Sequence, residues 1–259
     1  MTDYILPDVW QNTAKVDDNN QPTAGSRFEQ KLPQGPQPYQ LYTLATPNGI
    51  KPLILLEELI ALGIKDVDYE AYKIKIGDGQ QFGSDFVSIN PNSKIPAMLD
   101  KSSEKVIRLF ESANILLYLA EKYHHFLGEN AIERHEILNW LFWQTGAAPF
   151  VGGGFGHFFH YAPEKLEYPI NRYTMETKRQ LDLLDKELAT KDYIAGNAYS
   201  IADIAIWSWY GQLVQNRLYK DAATFLNVAD YHNLQEWADR IGQRPAVKSA
   251  LTKNLIEID

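Results

Sequence analysis

The stretch "YTLATPNGIKPLILLEELI", residues 42–60, changes its periodicity halfway along. Leu41, Thr43 and Leu44 suit a buried strand, whereas from Ile50 to Leu62 the apolar side chains recur at helical spacing. Between the two lies Thr46-Pro47-Asn48-Gly49, four residues that each favour turns for their own stereochemical reason. Strand, tight turn and helix in so short a span is how an α/β unit opens, and the neighbouring segments extend it.

Downstream, "VDYEAYKI" (67–74) alternates as a strand does, and the polar loop "KIGDGQQ" leads into a short helix near residues 82–89. After "NPNSKIP" come two short strands, "AMLD" and "KVIRLF", divided by the turn-forming Lys101-Ser102-Ser103-Glu104. "SANILLYLAEKY" then reads as a helix. The order βαβαββα fills residues 39–124. From Ala131 strand patterns vanish, and long helical patterns such as "ILNWLFW" and "TMETKRQLDLLDKELATK" replace them. The change of class at "HHFLGEN" predicts an α/β domain over 39–124 followed by an all-helical domain over 131–259. Upstream, residues 1–38 are rich in Asn, Gln, Gly and Pro without periodicity, and are expected to form an extended arm packed on the rest of the chain. In "YSIADIAIW", Ser200 precedes Asp203 by three residues, the spacing of a capping box, with Tyr199 and Ile204 placed as a hydrophobic staple.

Composition narrows the function. The 259 residues are 45% hydrophobic and 22% charged, ordinary for a globular chain. The net charge of −8 is spread over both halves without a basic stripe, which argues against nucleic acid and anionic membrane surfaces. No run approaches the ~20 apolar residues of a membrane span, and "MTDYILPDVW" lacks the basic-then-apolar layout of a secretory signal, so a cytoplasmic protein is expected. Cysteine is absent. That removes disulfides, thiolate zinc sites and cysteine nucleophiles, so any sulfur chemistry must use a ligand's sulfur.

Several motifs fail on spacing. "VGGGFGHF" lacks the Lys-Ser or Lys-Thr of a phosphate loop and is read as close helix packing. His135-Glu136 begins like a zinc-protease helix, but Asn139 stands where the second histidine is needed. His157 and His160 lie one turn apart with no third ligand at helical spacing, so no metal site is expected. No Gly-x-Ser-x-Gly elbow occurs. Two pieces survive: "SKIPAML", where Pro96 opens a strand and Ile95-Pro96 is a candidate cis bond, and "LFESANILLYLAEKY", where Glu111-Ser112 falls at a strand-to-helix junction whose free amides suit a carboxylate.

Taken in order, "TPNG", "NSKIPAM", "FESANILLYLAEKY" and "YSIADIAIW" resemble a glutathione transferase, and the resemblance covers nearly everything after residue 38. "IGDGQQF", "NWLFWQTGAAPFVGGGFGHFFHYAP" and "NRYTMETKR" are similar to the nu class, bacterial relatives of the yeast nitrogen-regulating prion protein. The resemblance implies a thioredoxin-like α/β N-terminal domain, an all-α C-terminal bundle, a homodimer, and a glutathione-dependent disulfide-bond oxidoreductase. It leaves a transferase conjugating glutathione to electrophiles held among His157, Phe158 and Tyr161 as one alternative, and a weakly catalytic regulatory protein as another.

It also implies roles for individual residues. Ser112 and the helix amides would take the γ-glutamyl carboxylate, Glu111 the ammonium, and Lys94 the glycyl carboxylate. The backbone of Ile95 would pair with the cysteinyl unit, and Gln81 would contact the peptide. The sulfur would lie beside Thr46 and Asn48, together with the amides opening the helix after Gly49. Lowering a thiol pKa by ~2 units from about 8.5 takes ~2.7 kcal/mol of preferential anion stabilisation, within reach of two or three such donors, so no protein base is required. Tyr42 is a poorer candidate by its place in the strand alternation. The nu class is associated with two glutathione molecules per subunit, for the second of which Arg172 and Asn20 are the expected contacts. Thr145 stands where the resemblance calls for Gln.

Overall fold

A computed structural model describes residues 5–11 and 21–258. The α/β part runs β1 (Tyr39–Thr43), α1 (Ile50–Ala61), β2 (Tyr69–Lys73), α2 (Ser84–Ile89), β3 (Ala97–Asp100), β4 (Ile107–Phe110) and α3 (Ser112–Tyr123). The helical part follows with α4 (Ala131–Pro149), which continues as a wider π-helical run from Phe150 to Tyr161, then α5 (Glu167–Leu188) and α6 (Ile201–Ile206). After a π-helical stretch at Trp207–Gly211 come α7 (Gln212–Val214), α8 (Ala222–Phe225), α9 (His232–Gly242) and α10 (Pro245–Leu251).

The sheet has the order β4-β3-β1-β2-β5, where β5 is Ile256–Glu257, with β1 parallel to β2 and antiparallel to β3, and β3 antiparallel to β4. Strand alternation sorts the side chains between two cores. Tyr39, Leu41, Met98 and Leu109 face the core shared with α1, α3 and the helical bundle, while Tyr42, Tyr72, Ala97 and Leu99 face a smaller core with Phe86 and Ile89 of α2. The fifth strand, β5 (Ile256–Glu257), lies beyond the last helix and returns to pair parallel with β2, where Glu257 meets Lys73 at 2.7 Å and Lys75 at 3.1 Å. The all-helical reading of residues 131–259 therefore omits this strand. Two exposed residues carry no alternation from which to find it.

Helix α1 packs against α3, α6 and α10 as well as the sheet, so nearly its whole circumference is buried, Lys51 and Glu58 included. Each fully buried leucine or isoleucine on it contributes about 1.5–3 kcal/mol. Glu58 receives a bidentate pair from Arg244 at 2.6 and 2.8 Å, which ties α1 to the start of α10, and the guanidinium lies 3.9 Å from the centre of the Tyr199 ring. The capping box at Ser200 forms: the Asp203 carboxylate accepts from the Ser200 amide (3.0 Å) and hydroxyl (2.9 Å), and also from the Ile194 amide and the Trp237 indole, each at 2.9 Å.

The glycine run is a packing device. A Cβ on Gly152, Gly154 or Gly156 would come within 2.5 Å of the rings of Trp209, Tyr173 and Tyr219 respectively. The arm packs on α2 from residue 27 onward: Arg27 stacks 3.4 Å over the Phe82 ring, and the Gln30 and Leu32 amides donate to Ser84 Oγ and Asp85 Oδ2. No helix among the described residues is long and apolar enough to cross a membrane.

Candidate active site

A cavity of about 690 Å³ opens where the C-terminal end of β1, the N-termini of α1 and α3, and the wide helix after α4 converge. That volume falls within the range of small-molecule sites, roughly 300–1,000 Å³. Thr46, Asn48, Lys94, Glu111 and Ser112 all line it, although they are spread over 67 positions of sequence.

The turn that places Thr46 and Asn48 is built around Gly49. A Cβ there would meet the Leu44 carbonyl oxygen at 1.9 Å, a backbone atom that cannot step aside, so only glycine fits. Thr46 closes the turn on itself: its Oγ1 accepts from the Gly49 amide at 3.2 Å and its carbonyl from the Ile50 amide at 3.0 Å. Of the amides after Gly49 that were expected to face the ligand, that of Ile50 is thus already engaged by Thr46. With its oxygen accepting, the Thr46 hydroxyl keeps its own proton to donate. Asn48 is oriented from the other domain, since the Trp209 indole Nε1 donates to its Oδ1 at 2.9 Å. An indole N–H can only donate, which fixes which end of the amide faces it and leaves Nδ2 as a donor. Tyr42 is fully buried on the opposite face of the sheet, stacks on Tyr72 and donates to the Pro33 carbonyl; burial pushes its hydroxyl pKa well up.

On the facing wall, Glu111 sits at φ 66°, ψ 116°, left-handed backbone at the β4–α3 junction. Such strain in a side-chain-bearing residue is held by its surroundings. Ser112 begins α3, and its Oγ accepts from Lys51 Nζ at 3.2 Å; the same ammonium donates to Gln144 Oε1 at 2.8 Å. Both Lys51 and Gln144 are 1% exposed and line the cavity, and the Gln144 Nε2 has no hydrogen-bond partner. Burial pushes the Lys51 ammonium down to about 7, with Glu111 pulling the other way.

The remaining candidates lie elsewhere. Ile95 is half-buried against the α2-side core and follows Lys94, and its bond to Pro96 is cis. Gln81 is buried, donates to the Ile76 carbonyl at 3.3 Å and does not line the cavity, although Ile76 does. Arg172 is exposed on α5 away from the lining, and Asn20 lies outside the described residues. Of His157, Phe158 and Tyr161, only Tyr161 reaches the cavity. The sequence reading missed Lys51, Gln144 and Trp209. A lone lysine ahead of the apolar run Pro52–Leu56 of α1 was the signal available for the first. Among the described residues there is no group of three or more side chains able to hold a metal ion.

Comparison with known proteins agrees with this architecture. Residues 37–121 match the model of the glutathione S-transferase N-terminal domain and residues 167–240 that of its C-terminal domain. The disulfide-bond oxidoreductase YghU of Escherichia coli is 57% identical over 88% of this chain and 79% of its own. A crystal structure of the glutathione transferase YghU of Streptococcus pneumoniae, complexed with glutathione, is 65% identical with a TM-score of 0.98, covering 99% of this chain and all of that one. A glutathione transferase of Burkholderia graminis with two glutathione molecules bound per subunit is 36% identical with a TM-score of 0.76, over 83% of this chain and 88% of the other. The chain belongs to the glutathione S-transferase family, with its thioredoxin-like α/β domain and helical second domain.

Proposed function

We propose that the protein is a glutathione-dependent disulfide-bond oxidoreductase, in the nu class of its family. The observation that carries this reading is a donor pair with no ionisable partner: the Thr46 hydroxyl and the Asn48 amide face the cavity, the latter aimed by Trp209, in a chain without cysteine. Glutathione, when bound, supplies the thiol and the reducing electrons, two thiols becoming one disulfide as the substrate's S–S bond is reduced to two thiols.

The chain's own residues do the rest. Thr46 and Asn48 stabilise a sulfur anion by charge-assisted hydrogen bonds near the positive end of α1. Ser112 and the start of α3 hold a carboxylate, Glu111 an ammonium, and Lys94 a second carboxylate. The residues present fit the tripeptide: the cavity offers cationic, anionic and neutral donor groups, with the Gln144 amide still lacking a partner. Gln81, the backbone of Ile95, Arg172 and Asn20 are proposed as further contacts, the last two toward a second glutathione molecule. We further propose a cytoplasmic homodimer, which light scattering at micromolar concentration tests.

Turnover of 2-hydroxyethyl disulfide, followed with glutathione and glutathione reductase, is the deciding measurement. Robust reduction is expected. Undetectable reduction beside strong conjugation of an aryl halide would replace this reading with that of a conjugating transferase, and the absence of both with that of a binding protein.

A further inference from the structure

Lysine 51 is a cation in an unusual place. It sits in the first turn of α1, sealed between the sheet domain and α4, and its two hydrogen-bond partners, Ser112 Oγ and Gln144 Oε1, are both neutral. An ammonium has three N–H groups, so one remains after these two bonds. Gln144, equally buried, presents an amide nitrogen that also lacks an acceptor. A buried cation with no anion in hydrogen-bond contact, only Glu111 acting on it from farther off, beside a buried amide with unspent donors, is costly unless something anionic arrives. Both groups line the cavity at the end where Ser112 opens α3.

We propose that Lys51 and Gln144 are positioning residues that complete the carboxylate subsite at Ser112 from the helical-domain side, and that a carboxylate seated there binds together with a proton taken up by Lys51. This deepens the function proposed above and rests on it. Glu111, Lys94, Tyr161 and Tyr219 are the other titratable groups lining the cavity. On α6 and α10, which also pack against α1, Asp203 is held by Ser200, Ile194 and Trp237, and Arg244 is paired with Glu58. That leaves Glu111 as the sole carboxylate among those lining groups, and it is reserved for the ligand's ammonium. The ligand's own carboxylate thus supplies the missing counter-charge, which favours the charged lysine. Because the Lys51 ammonium is held near 7 by burial, the free protein carries this site largely deprotonated above that pH, and binding there recharges it.

The test is calorimetry of S-methylglutathione, whose sulfur has no proton to lose, binding to the full chain at pH 8 in phosphate and in Tris, which differ in ionisation enthalpy. The expected result is a buffer-dependent heat corresponding to more than half a proton taken up per site, with uptake falling toward zero below pH 6. Lys51→Arg, always charged, should bind with the uptake abolished. Lys51→Met should bind at least tenfold more weakly, as should Gln144→Leu to a smaller extent. Wild-type binding whose heat is the same in both buffers overturns the inference even if the variants fail to fold. Equal uptake in wild type and Lys51→Arg overturns it too. Failure of S-methylglutathione to bind at all would instead remove the function proposed above.

Discussion

The indole Nε1 of Trp209 donates to Oδ1 of Asn48 at 2.9 Å, so a residue of the helical domain sets the side-chain amide of the turn before α1. The two donors proposed for the site thus sit on the turn, while the bundle decides how one of them points.

Replacing Trp209 by Phe deletes the N–H and also shortens the ring whose six-membered part packs at Gly152. Losing one neutral hydrogen bond of about 0.5–1.5 kcal/mol should lower kcat/KM for 2-hydroxyethyl disulfide by roughly 2- to 12-fold, and the lost ring packing should lower Tm as well. A variant as active as wild type would show that the indole does not orient Asn48 for catalysis.

Removing the donors themselves should do more. Hydrogen bonds to charged groups are worth about 1.5–3 kcal/mol, so Thr46→Val and Asn48→Ala should each reduce kcat/KM at pH 7 by roughly 10- to 150-fold. With fewer donors the bound thiol is less acidic, so the rising limb of the pH–rate profile should move to higher pH and part of the loss be recovered in alkali. Profiles with an unmoved limb would count against anion stabilisation by these two residues.

Gly49→Ala places a Cβ 1.9 Å from the Leu44 carbonyl oxygen. Since the obstacle is backbone, the turn itself must open, and we expect a loss of about 1–3 kcal/mol in denaturant unfolding together with a large loss of glutathione affinity. Normal stability and binding in this variant would mean that the turn tolerates a different path.

Asp100 links β3 to α3, accepting from Lys122 and from Tyr118, each at 2.6 Å. Burial opposes its ionisation, but hydrogen bonds from Lys122, Ser102 and Tyr118 outweigh that and hold its carboxyl below the usual range. A carboxylate with a lowered folded pKa contributes stability that is complete above its unfolded value, about 3.9, and is lost as pH falls through the folded one. Asp100→Asn should therefore destabilise the protein at pH 6 to 7, and the gap to wild type should close progressively below about pH 4. Unfolding curves across that range that stay equally far apart would contradict the assignment.

Much of this molecule was readable before any coordinates. The βαβαββα order, the shift to helices near residue 131, the capping box at Ser200 and the turn at 46–49 all rest on patterns spanning four to eighteen residues. Thr46, Asn48, Lys94, Glu111 and Ser112 were legible as a set through the resemblance and converge on one cavity. The strand at Ile256–Glu257 was not, because its partner is β2, more than 180 residues earlier, and two exposed residues have no period.

Local periodicity and turn stereochemistry act between near neighbours, and for that reason the chain by itself determined its elements, its two-part organisation and the glycine-dependent turn. Tertiary structure alone decided that Lys51 is sealed from water, that Gln144 keeps an unspent amide and that Trp209 aims Asn48. Burial and hydrogen-bond partnership depend on what α4, α6 and the stretch Trp207–Gly211 bring against α1 and the turn before it, and those contacts join residues about 90 to 160 positions apart.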